Sequence, residues 1–321
     1  MSDTQSTLQL ILDSGEKIFS DHCDKQLLDR AETGEFADTL WQQIVANGFN
    51  QLGASGSGTT ARELYAFIMQ CGRFAVPLPI AETLLVNSWL EPGEGLYSVG
   101  MVSDGQIIDV PWGRRADKVV GVRSDSSEVV VIDQPTVVEQ RVNLAGEPRD
   151  ILALPESAPT IDVTPEPFAQ LALTRVNMMA GALQTLLDLG ITFAMERSQF
   201  GRPIAKFQAI QHSLAIVASE VAAARRAADA GVDGLYNDRF LPEVAASKSR
   251  VGEAVTVAAE QIHQIHGAMG FTHEHRLHHF SRRAWAWRDE YGNEFHWQQL
   301  LGNHLAALGA DNLWSFIATR G

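Results

Sequence analysis

The run Arg197-Ser198-Gln199-Phe200-Gly201-Arg202-Pro203-Ile204, with Phe207-Gln208 behind it, decides how the second half of this chain is read. About sixty residues on stands Gln264-Ile265-His266-Gly267-Ala268-Met269-Gly270-Phe271-Thr272. An apolar helical pattern from Leu171 to Met195 leads into the first run, and another, Phe207 to Gly231, leaves it. Arg197 and the Phe200-Gly201 turn therefore lie between two helices, and a second Gly-spaced turn ends a third. Each turn can present a cation or backbone N–H groups to a phosphate-bearing ligand. A guanidinium offers pyrophosphate a bidentate fork, and glycines let the backbone approach closely.

Working outward, Pro242 suits the first turn of that third helix, with Val244, Lys248, Val251, Val255 and Ile262 following. Segments of about 274–288 and 293–319 complete a bundle. Upstream, Pro155, Pro159, Pro165 and Pro167 predict a linker. Before it, residues 96 to 155 change character. Val119-Val120-Gly121-Val122 and Val129-Val130-Val131-Ile132 are short β-branched runs, and Asp104-Gly105 marks a hairpin between two further strands. This predicts a small β domain of five or six strands. Residues 1 to about 90 read as helices, with Leu40, Ile44 and Val45, then Leu64, Phe67, Ile68, Cys71 and Phe74, at helical spacing before Pro77-Leu78-Pro79.

The 321 residues carry a net charge of −14, which argues against a nucleic-acid partner. Local arginines can still hold one nucleotide cofactor. No apolar run in the sequence approaches the roughly 20 residues that span a bilayer. The polar start, Met1 to Gln9, lacks the order of a signal peptide. Cys23 and Cys71 have no metal-ligand spacing. A cytoplasmic protein is expected.

The two turns, at this separation, resemble those of the C-terminal helical domain of the acyl-CoA dehydrogenase flavoprotein family, over residues 166 to 300. The resemblance implies an α+β fold, mainly α. It would hold an N-terminal helical domain (1–95), a small reduced β domain with its linker (96–165) and a C-terminal long-helix bundle (166–321). It implies that Arg197, Phe200, Gly201 and Gln208 contact the diphosphate and adenine end of FAD, with Gln264, Gly267 and Gly270 as a second wall. In the family this domain reaches across a dimer interface to a neighbour's FAD. The segments expected beside the flavin, one acidic-Pro-Gly-Ser-like and one Trp-x-Thr-Asn-like, are absent from this sequence; Trp112 lacks that context and reads as a core or boundary aromatic.

The family's reaction needs a carboxylate to remove the proton next to a thioester while the flavin accepts a hydride. At one family position for that base, Tyr291 stands in the run Arg288-Asp289-Glu290-Tyr291-Gly292-Asn293; at the other stands Thr174. Glu290, one residue and about 100° away on a helix, is the weak catalytic candidate, with Asp289 behind it. The resemblance thus implies a short subunit of a heteromeric dehydrogenase acting on acyl-CoA, by analogy a bulky or steroid-derived one. A longer homologue would supply the base, a heterotetramer would form, and an electron-transfer flavoprotein or similar acceptor would take the electrons. Two other readings stay open: a self-sufficient homo-oligomeric dehydrogenase using Glu290 or Asp289, and a non-catalytic scaffold binding acyl-CoA or a protein.

Nine of the ten histidines lie beyond residue 211, including His263-x-x-His266, His273-x-His275 and His278-His279. They read as polar residues at a bundle end or interface, and no metal is expected, because the Gly-rich turn separates the candidates. Trp285, Trp287 and Trp297 read as core, with a subunit interface or broad apolar pocket as the other reading.

Overall fold

The computed structural model describes residues 2–318, with side chains from residue 7 onward. Met1 and residues 319–321, the last of which fall in the expected C-terminal bundle, lie outside the described residues.

Five helices open the chain: α1 (Ser2–His22), α2 (Lys25–Glu32), α3 (Asp38–Ala46), α4 (Ala61–Arg73) and α5 (Ile80–Trp89). Local chemistry sets their ends. Asp24 caps α2 by accepting from Leu27 N–H at 2.8 Å. At α4, Thr60 and Glu63 form a reciprocal capping box.

Seven strands follow: β1 (Tyr97–Ser103), β2 (Gln106–Pro111), β3 (Lys118–Val122), β4 (Glu128–Asp133), β5 (Val137–Glu139), β6 (Arg149–Ala153) and β7 (Thr160–Asp162). They form one sheet in the order β5-β6-β2-β1-β3-β4-β7. The β1–β3 pairing is parallel and the others are antiparallel. The Asp104-Gly105 signal is met by a two-residue turn with both residues at positive φ. The sheet exceeds the expected five or six strands because of β5 and β7. Both are three-residue edge strands, mostly exposed, and β7 lies inside the expected proline linker. Their pairing comes from neighbouring strands and carries little pattern of its own.

The second half holds α6 (Pro167–Glu196), a small hairpin of β8 (Ser198–Gln199) and β9 (Arg202–Pro203), then α7 (Gln208–Asp233), α8 (Phe240–His266), α9 (Leu277–Asp289), α10 (Glu294–Leu308) and α11 (Ala310–Ala318). The expected final helix is broken at Gly309, where φ is +79°. Helix α6 is long and apolar enough to cross a membrane by composition, yet it is the core helix, packed on α4, α7, α8 and α9. It meets α4 at closest approach through two glycines. A Cβ on Gly181 would collide with the carbonyl of Met69, and one on Gly72 with that of Met178.

One continuous apolar core runs from the N-terminal helices through one face of the sheet into the bundle. A second, smaller cluster of Ile107, Val110, Val119, Val130, Ile132 and Leu152 covers the sheet's other face. Trp112 sits at the seam as a boundary aromatic, 3% exposed, its indole N–H donating to Pro77 O at 2.9 Å. Trp287 and Trp297 are fully buried core residues.

Candidate functional site

The first candidate site forms where α6 ends. Arg197 is the C-cap of α6, and its N–H donates to Phe193 O at 2.9 Å. The chain then folds into the β8–β9 hairpin, paired Ser198 to Pro203 and Gln199 to Arg202. Phe200 and Gly201 form its two-residue loop with φ of 51° and 78°, the mirror-image turn that matches strand twist. Glycine adopts this conformation freely, whereas a phenylalanine there costs about 1–2 kcal/mol. Phe200 is also 91% exposed. A large aromatic held in a disfavoured conformation and aimed at solvent is a feature of ligand or partner contact rather than of packing.

Helix α8 ends opposite. At Gly267, φ of 56° and ψ of −138° restrict the position to glycine, and nothing lies near where a Cβ would stand. Together the two turns enclose a cavity of about 430 Å³ whose lining includes Arg197, Phe200, Gln264, His266 and Gly267. The structure thus brings Arg197, Phe200, Gln264 and Gly267 to one place. Gly201 and Gln208 lie beside the cavity and are exposed, Gln208 being the first residue of α7. Gly270 is buried under the turn, where an added Cβ would press on His266 Cβ and Leu277. Among the described residues, the Arg197 guanidinium has no hydrogen-bond or ion-pair partner and is exposed.

His266 joins this site, although the sequence assigned it no role there. Its Nδ1 lies 2.8 Å from Ile262 O, to which it must donate, and its ring stacks on Phe193 at 4.3 Å. That leaves Nε2, buried and without a partner, as an acceptor beside the cavity. Burial lowers the proton affinity of the ring, with the neighbouring His275 adding to the effect. The sequence signal was present in the His263-x-x-His266 spacing, which places both rings on one helix face.

The second candidate site is a cleft of about 330 Å³ between the sheet and the bundle, lined by residues that include Met101, Asp109, Arg149, Glu290 and Tyr291. Glu290 follows α9 directly. Its Oε1 accepts from Arg149 Nε at 2.8 Å and Asn143 Nδ2 at 3.1 Å, and its Oε2 from Arg175 Nε at 2.6 Å. Burial alone would raise this carboxyl, but the two guanidiniums outweigh it and hold it at about 2. A carboxylate so paired, the weak catalytic candidate of the sequence, is disfavoured as a base. Asp289 is mostly exposed and pairs with Arg288 at 3.4 Å.

The ion network extends in both directions. Arg175 also binds Glu82, and Arg149 binds Glu147 at 3.1 Å. Glu147 in turn accepts from Trp287 Nε1 at 3.0 Å. Tyr291 is buried with φ of 55°, its ring 4.9 Å from the Arg175 guanidinium carbon and its hydroxyl without a partner. Thr174 is spent on its own helix, donating to Leu171 O at 2.6 Å. The turn after α9 is pinned by Lys248, whose Nζ donates to the carbonyls of Arg288 at 2.6 Å and Gly292 at 2.9 Å. Burial pushes Lys248 down to about 7 against the pull of Glu294 and Glu290. Asp109, which carries no sequence signal of its own, faces this cleft on a bulge of β2. Burial and then the charge of Glu290 raise its carboxyl above the ordinary value.

Residues 161–293 match the family described as acyl-CoA dehydrogenase, C-terminal domain. The chain is 28% identical over 272 residues to acyl-CoA dehydrogenase IpdE2 of Mycobacterium tuberculosis, covering 78% of this chain and 81% of that protein. It is 39% identical over 124 residues to glutaryl-CoA dehydrogenase of Desulfococcus multivorans, covering 36% of this chain and 31% of that one. Among solved structures, it is similar to a chain of the ChsE4-ChsE5 complex from Mycobacterium tuberculosis, with TM-score 0.82 and 18% identity over 97% of this chain and 99% of that chain. Butyryl-CoA dehydrogenase from Megasphaera elsdenii superposes with TM-score 0.80 and 14% identity over 95% of this chain and 99% of that chain. These structural likenesses show the mainly helical α+β fold.

Proposed function

We propose that this chain, similar to the acyl-CoA dehydrogenase family over residues 161–293 and to IpdE2 over most of its length, is the half-site subunit of a heteromeric, FAD-dependent acyl-CoA dehydrogenase. Members of the family use FAD, which when bound accepts a hydride from the acyl chain. The adenosine diphosphate half of that cofactor fits the first site. Arg197 supplies an unspent guanidinium, Gly267 a backbone that can be closely approached, and His266 Nε2 a buried acceptor. Phe200 and Gln208 flank it. The acidity of the whole chain does not oppose this, since the charge that matters is local.

The observation that carries the reading is the ion network around Glu290. Where the family resemblance puts one base stands a buried tyrosine over Arg175, and where it puts the other stands Thr174, hydrogen-bonded to its own helix. The carboxylate between them neutralises two arginines. A group that abstracts a proton must be free to receive it, and Glu290 is held ionised at about 2 by charges that would repel the proton. The base and the flavin-facing wall would then come from a longer homologous subunit, with an electron-transfer flavoprotein or similar acceptor downstream. The Tcur3481-Tcur3483 steroid ACAD, a chain of which has the same fold with TM-score 0.81 and 18% identity over 95% of this chain, supports a steroid-type acyl-CoA as substrate class. Cys23 and Cys71 are buried free thiols, and burial pushes Cys23 up to about 12.

A second reading is favoured by one observation. If the lone chain were a complete dehydrogenase, Asp109 would be its base, because its proton affinity is raised and it faces the cleft.

The deciding experiment is the visible flavin spectrum of this chain purified alone and co-expressed with a longer homologue. Flavin only in the complex, lost on Arg197→Ala, is the expected result. An ionic hydrogen bond of about 1.5–3 kcal/mol corresponds to a 10- to 150-fold weaker FAD affinity. Full flavin occupancy and turnover in the lone chain, abolished by Asp109→Asn, would replace this reading with the second.

A further inference from the structure

Away from both sites, α2 and the first turn of α9 bring Asp29, His278 and His279 together, with a carboxylate oxygen and two ring nitrogens all within 4.8 Å of one another. Neither motif nor spacing announces this, because Asp29 and the histidine pair are far apart in sequence. We propose that these three residues form a binding site for a divalent transition-metal ion, Zn²⁺ being the best fit, which ties the N-terminal helices to the bundle.

The argument rests on which nitrogens are already used. His279 Nδ1 lies 2.7 Å from Glu32 Oε1, a carboxylate oxygen that can only accept, so Nδ1 carries a hydrogen and Nε2 is the nitrogen left to face an ion. His278 Nε2 lies 3.4 Å from the carbonyl of His273, which likewise assigns it the hydrogen and leaves the lone pair on Nδ1. Among the described residues, His278 Nδ1 is buried with no partner, and the buried His279 Nε2 meets Asp29 Oδ1 at 3.0 Å. The side chains are 8% and 0% exposed. Two buried imidazoles, each with one nitrogen anchored on an oxygen acceptor and the other within reach of the same carboxylate, make the arrangement that orients metal-ligating histidines. For His278 Nδ1, idle and buried, the lack of a partner is otherwise an uncompensated loss.

Asp29 completes the set. Its Oδ1 is 3.0 Å from His279 Nε2, a contact that a bound ion would replace, while Oδ2 pairs with Lys25 at 2.6 Å. Tetrahedral Zn²⁺ with bonds of about 2.0–2.2 Å sets its ligand atoms roughly 3.3–3.6 Å apart. Rotation of the exposed Asp29 side chain, 45% accessible, closes the gap and leaves a fourth position for solvent.

The surrounding charges choose the ion. Glu32 is neutralised by Arg282 at 3.0 Å and Arg283 at 2.8 Å, and Asp29 already meets Lys25. The cluster is therefore no anionic cage, and hard cations such as Mg²⁺ or Ca²⁺ gain little from it. An ion held there must gain its affinity from imidazole nitrogen, which selects zinc and its first-row neighbours.

The test is calorimetric titration of Zn²⁺ into the chelator-stripped full chain, with Mg²⁺ in parallel and thermal melting as a second readout. One Zn²⁺ per chain is expected, with a higher melting temperature and no response to Mg²⁺. Asp29→Asn, on the surface and safe for folding, and His278→Gln should each weaken binding at least about tenfold and remove the melting shift. Three outcomes overturn the proposal: no zinc binding, zinc binding unchanged in both variants, or nitrogen NMR showing His279 doubly protonated in excess zinc at neutral pH. The last would make His279 an imidazolium clamped between Asp29 and Glu32.

Discussion

Replacing Glu290 by Gln separates a structural carboxylate from a catalytic one. The substitution keeps shape and removes charge, leaving Arg149 and Arg175 buried with one carboxylate each, Glu147 and Glu82. Holding a carboxyl at about 2 rather than its ordinary 4.5 is worth about 3 kcal/mol at 1.36 kcal/mol per pH unit. The Glu290 side chain is only 15% exposed, so solvent screening reduces this little. Removal of one partner from a buried pair costs about 3–5 kcal/mol in general. Since each arginine keeps a partner, the lower end is expected, about 3 kcal/mol. Urea unfolding followed by tryptophan fluorescence reads this directly, because Trp287 and Trp297 sit in the same turn region, bonded to Glu147 and to the Tyr291 carbonyl. Pairing Glu290→Gln with Arg175→Met should give a coupling of about 0.5–3 kcal/mol. A loss below about 1 kcal/mol, together with abolished acyl-CoA turnover by the lone chain, would refute the argument and restore Glu290 as a base.

Two further outcomes are expected. Glu290 and Glu32 both have folded-state carboxyls held at about 2, so their stabilisation is complete above about 4.5 and is lost as pH falls toward 2; urea midpoints measured from pH 6 downward should drop over that window, and the drop should be shallower in Glu290→Gln, whereas parallel slopes would contradict the assignment. Gly181→Ala should destabilise the α4–α6 crossing by about 1–3 kcal/mol or more, since the added methyl meets the Met69 backbone and no side chain can yield; an unchanged melting temperature would show that the two helices are not held at that separation.

Much of the molecule was legible because its signals are local. The long helices follow from 3.6-residue apolar periodicity, and the Asp104-Gly105 and Phe200-Gly201 turns from residues that tolerate or impose positive φ. Arg197 and Gly267 were legible as turn residues because each follows the last residue of a long apolar helical pattern. The edge strands β5 and β7 were not legible, since an edge strand is defined by the neighbour it pairs with. The same holds for the break at Gly309, where a lone glycine is weak punctuation.

What the sequence by itself determined is therefore the order of helical, β and helical parts and the place of the two turns. Each depends on residues within a few positions of one another. Only the tertiary structure decided that Glu290 is neutralised, because Arg149 and Arg175 lie over a hundred residues away and their charge acts through space. Only it brought His266 Nε2 to the cavity with no partner left, and only it set Asp29 of α2 against His278 and His279 of α9. A side chain's reactivity follows from what remains unpaired around it, and that is settled when distant segments pack.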